Sequence, residues 1–224
     1  MKLIRTFLSV LLTVLLGKLA LSVAAQSPLV STPAVDLAGK PVTLGQLEGR
    51  WTALIVANRD NADNARVMGQ DLAFTLSEDR NVAVISVMDL KGIPNFARGL
   101  ATHIILDKVA AADVLMKERF QKAGRPYRPG LTLYIPDWEG KLILTLFKDS
   151  PRPEFAVFAQ NPAQLTRFNQ NRVEREQQSL RNHIHVFILD RQGEVVAHYL
   201  DQGATPLVLN TLRELLRQDT AKAS

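Results

Sequence analysis

Residues 54–66 read LIVANRDNADNAR, and this stretch decides the fold of the chain. Its first four residues belong to an apolar run, Ala53–Ala57, which is typical of a strand that is buried on both faces of a sheet. The run ends in the polar segment Asp60–Asn64, whose side chains are of the type that caps a helix. A helix is predicted from there to about Leu76, because its apolar residues form one stripe at helical spacing: Ala65, Met68, Leu72 and Leu76.

A second strand follows this helix at the spacing of a crossover unit. Residues Val82–Met88 are apolar at every position except Ser86. Two buried strands joined by one helix form a parallel βαβ unit, whose crossover should be right-handed. The sequence therefore predicts an α/β fold around a central sheet.

The middle of the chain adds one helix, one strand and one ambiguous segment. A helix is expected over about Lys108–Ala123, ended by Gly124, and a third strand over Leu131–Ile135. The turn Asp137–Lys141 follows. The composition of Leu142–Phe147 fits a strand, although a helix is also possible.

Segment 148–182 interrupts this pattern. It contains three prolines and then a stretch rich in Gln, Asn and Arg. Asn161 as a cap and Pro162 at the first helical position predict a surface helix with a thin apolar face. We interpret the segment as a basic helical insertion that packs only in part.

The last part of the chain predicts a β-hairpin followed by a helix. Ile184–Leu189 and Glu194–Leu200 have strand character and flank the turn Asp190–Gly193. Thr205 and Pro206 then begin an amphipathic helix with a leucine-rich side.

Both ends of this arrangement resemble proteins of the thioredoxin-like/redoxin superfamily, which includes peroxiredoxin- and TlpA-like proteins. The redoxin opening pattern D-x-x-G-K-x-V-x-L-x-x-L-x-G-K is matched, with Arg50 in place of the last Lys, at Asp36, Gly39, Lys40, Val42, Leu44, Leu47 and Gly49. The motif FILDRQGEVV at residues 187–196 resembles the closing hairpin of the same proteins.

The resemblance covers residues 34–218 and implies a thioredoxin-like α/β fold. Such a fold has a central mixed β-sheet flanked by helices, here with a helical insertion before the C-terminal β-hairpin and helix. Redoxin-like relatives place a helix after the corresponding D-x-x-G turn, which favours a helix at Leu142–Phe147.

The same resemblance implies a degenerate active site. In secreted thioredoxin-fold proteins the loop after the first central strand opens a helix with Cys-x-x-Cys-Arg, and these positions fall on Ala62, Ala65 and Arg66. The chain contains no cysteine. A thiolate at a helix N-terminus is reactive because the helix dipole and free amides lower its pKa, and alanine has no such chemistry. We therefore expect no thiol chemistry and no cofactor; the alternative is an ordinary capped helix start that matches by chance.

The loop around these alanines is polar and is a possible binding loop. Free amides at a helix N-terminus beside arginines could hold an anion, while the alternative is a solvated loop capped by its own side chains. The loop residues are Asn58, Arg59, Asp60, Asn61, Asp63 and Asn64.

Three histidines lie on the predicted hairpin. His183 and His185 share one face of a strand, and a four-residue turn would place His185 opposite His198. Three histidines on one face could ligate zinc or copper. The alternative is three half-exposed strand positions, because no carboxylate or thiolate is spaced to complete a site.

The first 25 residues have the pattern of a signal peptide. Lys2 and Arg5 precede the apolar core Phe7–Leu16, and Val23–Ala25 offers small residues for cleavage. We expect an exported protein, periplasmic or secreted, with no membrane span after cleavage; the alternative is an uncleaved N-terminal anchor. Residues 26–33 are interpreted as a flexible lead-in and residues 219–224 as a tail.

Removing this leader changes the charge of the chain. The leader holds three of the 27 basic residues and no acidic residue, which leaves 24 basic and 22 acidic residues and a formal net charge of +2. Nucleic-acid binding needs a concentrated basic face, so we predict no nucleic-acid partner.

Three functions fit these observations. The first is a redox-inactive binding or scaffold module for a protein partner, which would use the former active-site face, the inserted helix, or both. The second is a redox accessory or antioxidant protein of the thioredoxin–peroxiredoxin class. The third is a periplasmic protein that binds a metal or an anion.

Overall fold

The computed structural model describes residues 32–42 and 49–223, so the predicted signal peptide lies outside the described residues. The described chain has a thioredoxin-like α/β fold with a mixed five-stranded sheet between two layers of helices. The strands are β1 (Ala34–Val35), β2 (Pro41–Val42), β3 (Trp51–Ala57), β4 (Val82–Asp89), β5 (Thr132–Asp137), β6 (His185–Leu189) and β7 (Val195–Leu200). The helices are α1 (Ala62–Leu76), α2 (Arg98–Lys122), α3 (Lys141–Lys148), α4 (Arg167–Arg181) and α5 (Thr205–Ala223).

The strand order in the sheet is β5-β4-β3-β6-β7. Strands β3, β4 and β5 are parallel, whereas β6 is antiparallel to both β3 and β7. Helix α1 connects β3 to β4, which confirms the predicted βαβ unit. Because parallel strands end at the same edge of a sheet, the loop that follows β3 lies beside the ends of β4 and β5.

The two faces of the sheet bury two separate cores. Helices α1 and α5 and the second half of α2 pack on the face that carries Ala53 and Ile55. Helix α3 and the insertion pack on the face that carries Leu54 and Val56. All seven residues of β3 are buried, as expected for a central strand covered on both faces.

The ambiguous segment Leu142–Phe147 is helical and forms most of α3. The carboxylate of Asp137 holds the start of this helix by accepting hydrogen bonds from the backbone N–H of Lys141 at 3.1 Å and of Ile143 at 2.9 Å. Among residues 32–42 and 49–223, no helix has both the length and the apolar composition that a membrane span requires.

Helix α2 begins at Arg98, so the predicted start near Lys108 was wrong. The prediction failed because no apolar stripe before Lys108 faces the core: Leu100 and Ile104 lie on an exposed side of the helix, and Leu106 on another. The buried residues Ala112, Met116 and Phe120 all belong to its second half.

The predicted start of the inserted helix at Asn161 and Pro162 was also wrong. These residues open a single 3-10 turn, Pro162–Gln164. Helix α4 starts only at Arg167, where the Thr166 hydroxyl accepts a hydrogen bond from the backbone N–H of Asn169 at 3.4 Å.

The insertion contributes more to the core than its composition indicates. A 3-10 segment, Pro153–Ala159, buries Phe155, Val157 and Phe158. The rings of Phe155 and Phe158 lie 5.3 and 4.7 Å from the ring of Phe147 on α3. Helix α4 itself packs only in part, as expected: Val173 is its one buried side chain, and Leu180 is partly buried against the same core.

The hairpin forms as predicted, but its register differs. His198 pairs with Phe187, and His185 pairs with Leu200. A register shift between Ile188 and Leu189 moves the strands relative to a simple four-residue turn. His185 and His198 are therefore diagonal neighbours on one face of the hairpin rather than direct partners.

Candidate functional site at the carboxyl edge of the sheet

The loop after β3 forms a 3-10 turn, Arg59–Asn61, that leads into α1. The Asn58 side-chain oxygen accepts hydrogen bonds from the backbone N–H of Asp60 at 2.9 Å and of Asn61 at 3.3 Å. In return, the Asn58 backbone N–H donates to the Asn61 side-chain oxygen at 2.9 Å. The two asparagines thus fix the backbone of the loop as a capping box.

The two alanines occupy the start of α1. Ala62 is the first residue of the helix and is half-buried, whereas Ala65 is buried in the core one turn later. Asp63 and Asn64 between them are exposed. A thiol at position 62 would therefore be accessible and one at 65 would be shielded, but neither alanine carries a reactive group.

The end of the inserted helix contacts this loop directly. The side-chain amide of Asn58 donates to the carbonyl oxygen of Arg181 at 3.2 Å, and that of Asn61 donates to the carbonyl oxygen of Asn182 at 3.1 Å. The last carbonyls of a helix have no partner within the helix, so the two asparagines satisfy acceptors that α4 leaves open.

An ion pair anchors the same helix end to the sheet. The Arg181 guanidinium donates to the carboxylate of Asp89, the last residue of β4, at 3.0 Å, and both side chains are only 16% exposed. The guanidinium also lies over the rings of Phe147 and Phe158, at 5.4 and 5.6 Å from their centroids. The insertion is therefore fixed at the ends of both β3 and β4.

A second carboxylate, that of Asp137, lies at the end of β5 in register with Asp89. Burial, together with the charge of Asp89, raises the pKa of Asp137 above its usual value. However, the Asp137 carboxylate is engaged as the cap of α3, and Asp89 is paired with Arg181. The two carboxylates thus have structural partners and do not form an open acid–base pair.

The loop arginines differ in their surroundings. Arg66 lies 3.9 Å from the carboxylate of Asp63 and donates to Gln70 at 3.2 Å. Arg59 is exposed and makes no ion pair within the described part of the chain. Because the Asn58 side chain already satisfies the N–H groups of Asp60 and Asn61, this geometry favours the capped, solvated loop over an anion site.

The hairpin histidines do not come together as a set of three. The His183 ring lies 2.9 Å from the carboxylate of Asp201 at the exposed end of the hairpin, while His185 and His198 contact each other inside the core. In residues 32–42 and 49–223, no three His, Cys, Asp or Glu side chains are arranged so that they could hold a metal ion.

His185 and His198 form a buried relay with Ser150. Nδ1 of His185 lies 3.1 Å from Nε2 of His198, and Nδ1 of His198 lies 2.7 Å from the Ser150 hydroxyl. The rings lie among Phe147, Phe155 and Phe187. Burial in this apolar environment lowers the pKa of each histidine to about 3, so both rings are neutral at pH 7.

The relay has two possible proton arrangements. Ser150 can donate to His198, which then donates to His185, or both bonds can reverse. In either case, Nε2 of His185 is the last atom of the relay, and it is buried with no hydrogen-bond partner among residues 32–42 and 49–223. Sequence reasoning missed Ser150, Asp89 and Arg181, because nothing local in the sequence indicates that they meet the predicted residues.

The described residues have a thioredoxin-like fold, and the chain contains no cysteine. The redoxin resemblance places the two cysteine positions of that site at Ala62 and Ala65, and this assignment stays a prediction. No protein-family model and no curated protein matches the chain.

Several solved structures are similar in fold. Peroxiredoxin Q of Xanthomonas campestris is 14% identical with a TM-score of 0.47, over 83% of this chain and 92% of that one. The exposed lipoprotein thioredoxin of Streptococcus pneumoniae is 15% identical with a TM-score of 0.41, over 82% and 98%. The thioredoxin domain of a thiol-disulfide oxidoreductase from Bacteroides vulgatus is 10% identical with a TM-score of 0.39, over 84% and 96%.

Proposed function

We propose that this is an exported, redox-inactive thioredoxin-like protein that serves as a non-catalytic binding module for a protein partner. The observation that carries the proposal is the state of the former active-site edge. The redoxin resemblance assigns the two thiol positions to Ala62 and Ala65, and the loop before them is hydrogen-bonded to the chain's own insertion. The leader sequence of residues 1–25 supports export.

The joined loop and insertion offer a fixed polar surface. Arg59, Asp63 and Asn64 on the loop are exposed, as are Arg172 and Arg175 on α4. Because hydrogen bonds and the Arg181 ion pair hold both elements in place, little ordering entropy is lost when a partner binds. A preorganised surface of mixed charge suits recognition of a folded protein better than turnover of a small substrate.

Site-specific cross-linking tests this surface. A photoreactive residue at Asn64 should give one dominant adduct with a partner in the periplasmic fraction, whereas the same residue at Arg213, exposed on α5, should not. Replacing Arg172 and Arg175 by alanine should reduce the Asn64 adduct several-fold. Equal adducts from both positions would contradict the proposed surface.

Activity assays test the absence of redox function. The pure protein should neither reduce insulin disulfides nor consume peroxide, and turnover of either substrate would refute the proposal. The variant Ala62→Cys/Ala65→Cys provides the matched control. Cysteines spaced i, i+3 at a helix start can form a disulfide, so this variant should oxidise reversibly while the natural chain does not.

A further inference from the structure

Helix α2 carries an apolar surface that the described chain does not cover. Phe96, just before the helix, is 91% exposed, and Leu100 and Ile104 in its first half are 67% and 49% exposed. In its second half, Val114 and Leu115 are 57% and 53% exposed. Exposed apolar residues that are grouped on one side of a helix mark an interaction site more often than single scattered ones do.

Helix geometry places these residues on one side. Successive residues turn by about 100°, so Leu100, Ile104 and Leu115 fall within an arc of roughly 60°. The buried residues Met116 and Phe120 face the core on another side of the helix. We call the outer side, from Phe96 to Leu115, the α2 outer face.

We propose that the α2 outer face binds a second copy of the same chain, with the two α2 helices antiparallel. A symmetric dimer has a two-fold axis and requires a surface that is complementary to itself. The α2 outer face meets this requirement when the axis passes between residues 107 and 108. The facing pairs across the two copies are Leu100 with Leu115, Ile104 with Ala111, and Asp107 with Lys108.

The charges at the centre of the face support this arrangement. Asp107 and Lys108 are both exposed and lie next to each other in the sequence. In the antiparallel pair, each carboxylate meets the ammonium group of the other copy, and this contact occurs twice. In a parallel pair at the same level, Asp107 would meet Asp107, which is repulsive.

The size of the α2 outer face sets the expected affinity of the dimer. From Phe96 to Leu115 the seam is about 30 Å long and about 10 Å wide, given the rise and diameter of a helix. This is a small interface compared with the roughly 800 Å² per partner of a standard one. We therefore expect a reversible dimer with a Kd in the micromolar range.

A membrane surface is a less suitable occupant. Helices that lie on membranes keep their apolar face free of acids and concentrate lysine and arginine on the polar face. Here Asp107 lies within the outer face itself, and the exposed Glu118 continues the same side of the helix just beyond Leu115. These carboxylates fit a protein surface that provides lysine, which a second copy does through Lys108.

Sedimentation of the chain without its leader tests the dimer. The sedimentation coefficient should rise with concentration between about 1 and 500 µM, bracketing the expected Kd. Leu100→Lys should raise the Kd at least tenfold, whereas Leu207→Lys on α5, where the native leucine is 56% exposed, should leave it unchanged. A monomer at every concentration, or equal effects of the two variants, would overturn the proposal.

A charge exchange tests the central contact. Asp107→Lys places like charges together twice and should weaken the dimer roughly tenfold or more. Adding Lys108→Asp restores both pairs and should return the Kd to near the natural value. All these side chains are exposed, so the variants should fold normally. If the double variant is as weak as Asp107→Lys alone, Asp107 and Lys108 do not face each other.

Because the chain has no cysteine, disulfide cross-linking tests the direction without background. Leu100→Cys protein mixed with Leu115→Cys protein should form mixed disulfide dimers. Neither protein should cross-link alone, because the two copies of residue 100 lie about 22 Å apart along the helix axis, as do the two copies of residue 115. Cross-linking of Leu100→Cys alone would overturn the antiparallel direction.

Binding to anionic vesicles without self-association would assign the face to a membrane. Neither result would bear on partner capture at the Asn64 loop, which the cross-linking at that loop measures separately.

Discussion

The buried relay of Ser150, His198 and His185 should make the protein lose stability as the pH falls from 7.5 to 5. Burial lowers the pKa of both histidines to about 3 in the folded chain, whereas an unfolded histidine has a pKa of about 6.5. Between these values the unfolded chain binds more protons than the folded chain. The free energy of unfolding therefore decreases as the pH falls, and the contribution is intact above pH 6.5.

The size of the effect follows from the distance to the unfolded pKa. A pH of 5 lies about 1.5 units below the pKa of an unfolded histidine. This difference corresponds to a loss of roughly 2 kcal/mol per ring, or about 4 kcal/mol for both. A domain of this size is stable by only about 5–15 kcal/mol. The loss is thus large enough to shift a denaturation midpoint clearly.

Urea denaturation at pH 7.5, 6.5, 5.5 and 5 measures how the free energy of unfolding changes with pH. In the variant His185→Leu/His198→Leu, both partners become apolar and similar in volume, so the relay is removed without leaving one polar ring unpaired. Between pH 7.5 and 5 this variant should lose about 4 kcal/mol less free energy of unfolding than the natural chain. Asp137, whose raised pKa acts in the opposite sense, is present in both proteins and cancels in the comparison.

Leu207→Gln on α5 provides the control, because the leucine is 56% exposed and the change adds no titratable group. Between pH 7.5 and 5 this variant should lose as much free energy of unfolding as the natural chain. The reasoning fails if the natural chain and the double variant lose the same free energy of unfolding between pH 7.5 and 5.

Three further predictions concern stability. Arg181→Ala removes the ion-pair partner of the largely buried Asp89 carboxylate and should lower the free energy of unfolding by about 3 kcal/mol. Arg172→Ala, on the exposed side of α4, should change it by less than about 0.5 kcal/mol in the same urea titration. Gly140→Ala places a side chain at φ +68° and should cost about 1–2 kcal/mol by thermal denaturation, whereas Gly92→Ala, with open space around it, should not; equal costs would contradict the assigned strain. Phe155→Ala should cost about 3–5 kcal/mol by urea denaturation because its ring is 1% exposed, and a cost below 1 kcal/mol would show that the insertion is not part of the core.

The sequence was informative where burial gives a clear pattern. The apolar runs at Ala53–Ala57 and Val82–Met88 predicted the two central strands, because a strand covered on both faces has no room for polar side chains. The helix at Leu142–Phe147 needed the redoxin resemblance, since a short apolar segment alone fits either state.

The sequence was less informative where tertiary contacts decide the structure. Phe155 lies in a proline-flanked segment without periodicity, so nothing local indicated that it packs against Phe147. The register shift after Ile188 moved His185 away from direct pairing with His198, and a bulge of this kind has no reliable sequence signal. The contact of Asn58 with the end of α4 depends on chain segments that meet only in the folded state.

The pairing of β3 with β6 has a consequence for how the chain folds. The central strand, residues 51–57, takes one of its two neighbours from residues 185–189, close to the end of the chain. Contacts between such distant segments form slowly, because a long loop must close before they provide any stabilisation. Until the C-terminal hairpin is available, one edge of the most apolar strand stays unpaired and can pair with another chain. A chain truncated before residue 184 should therefore aggregate rather than form a smaller stable domain, and a chain that includes the hairpin should fold in a single late step.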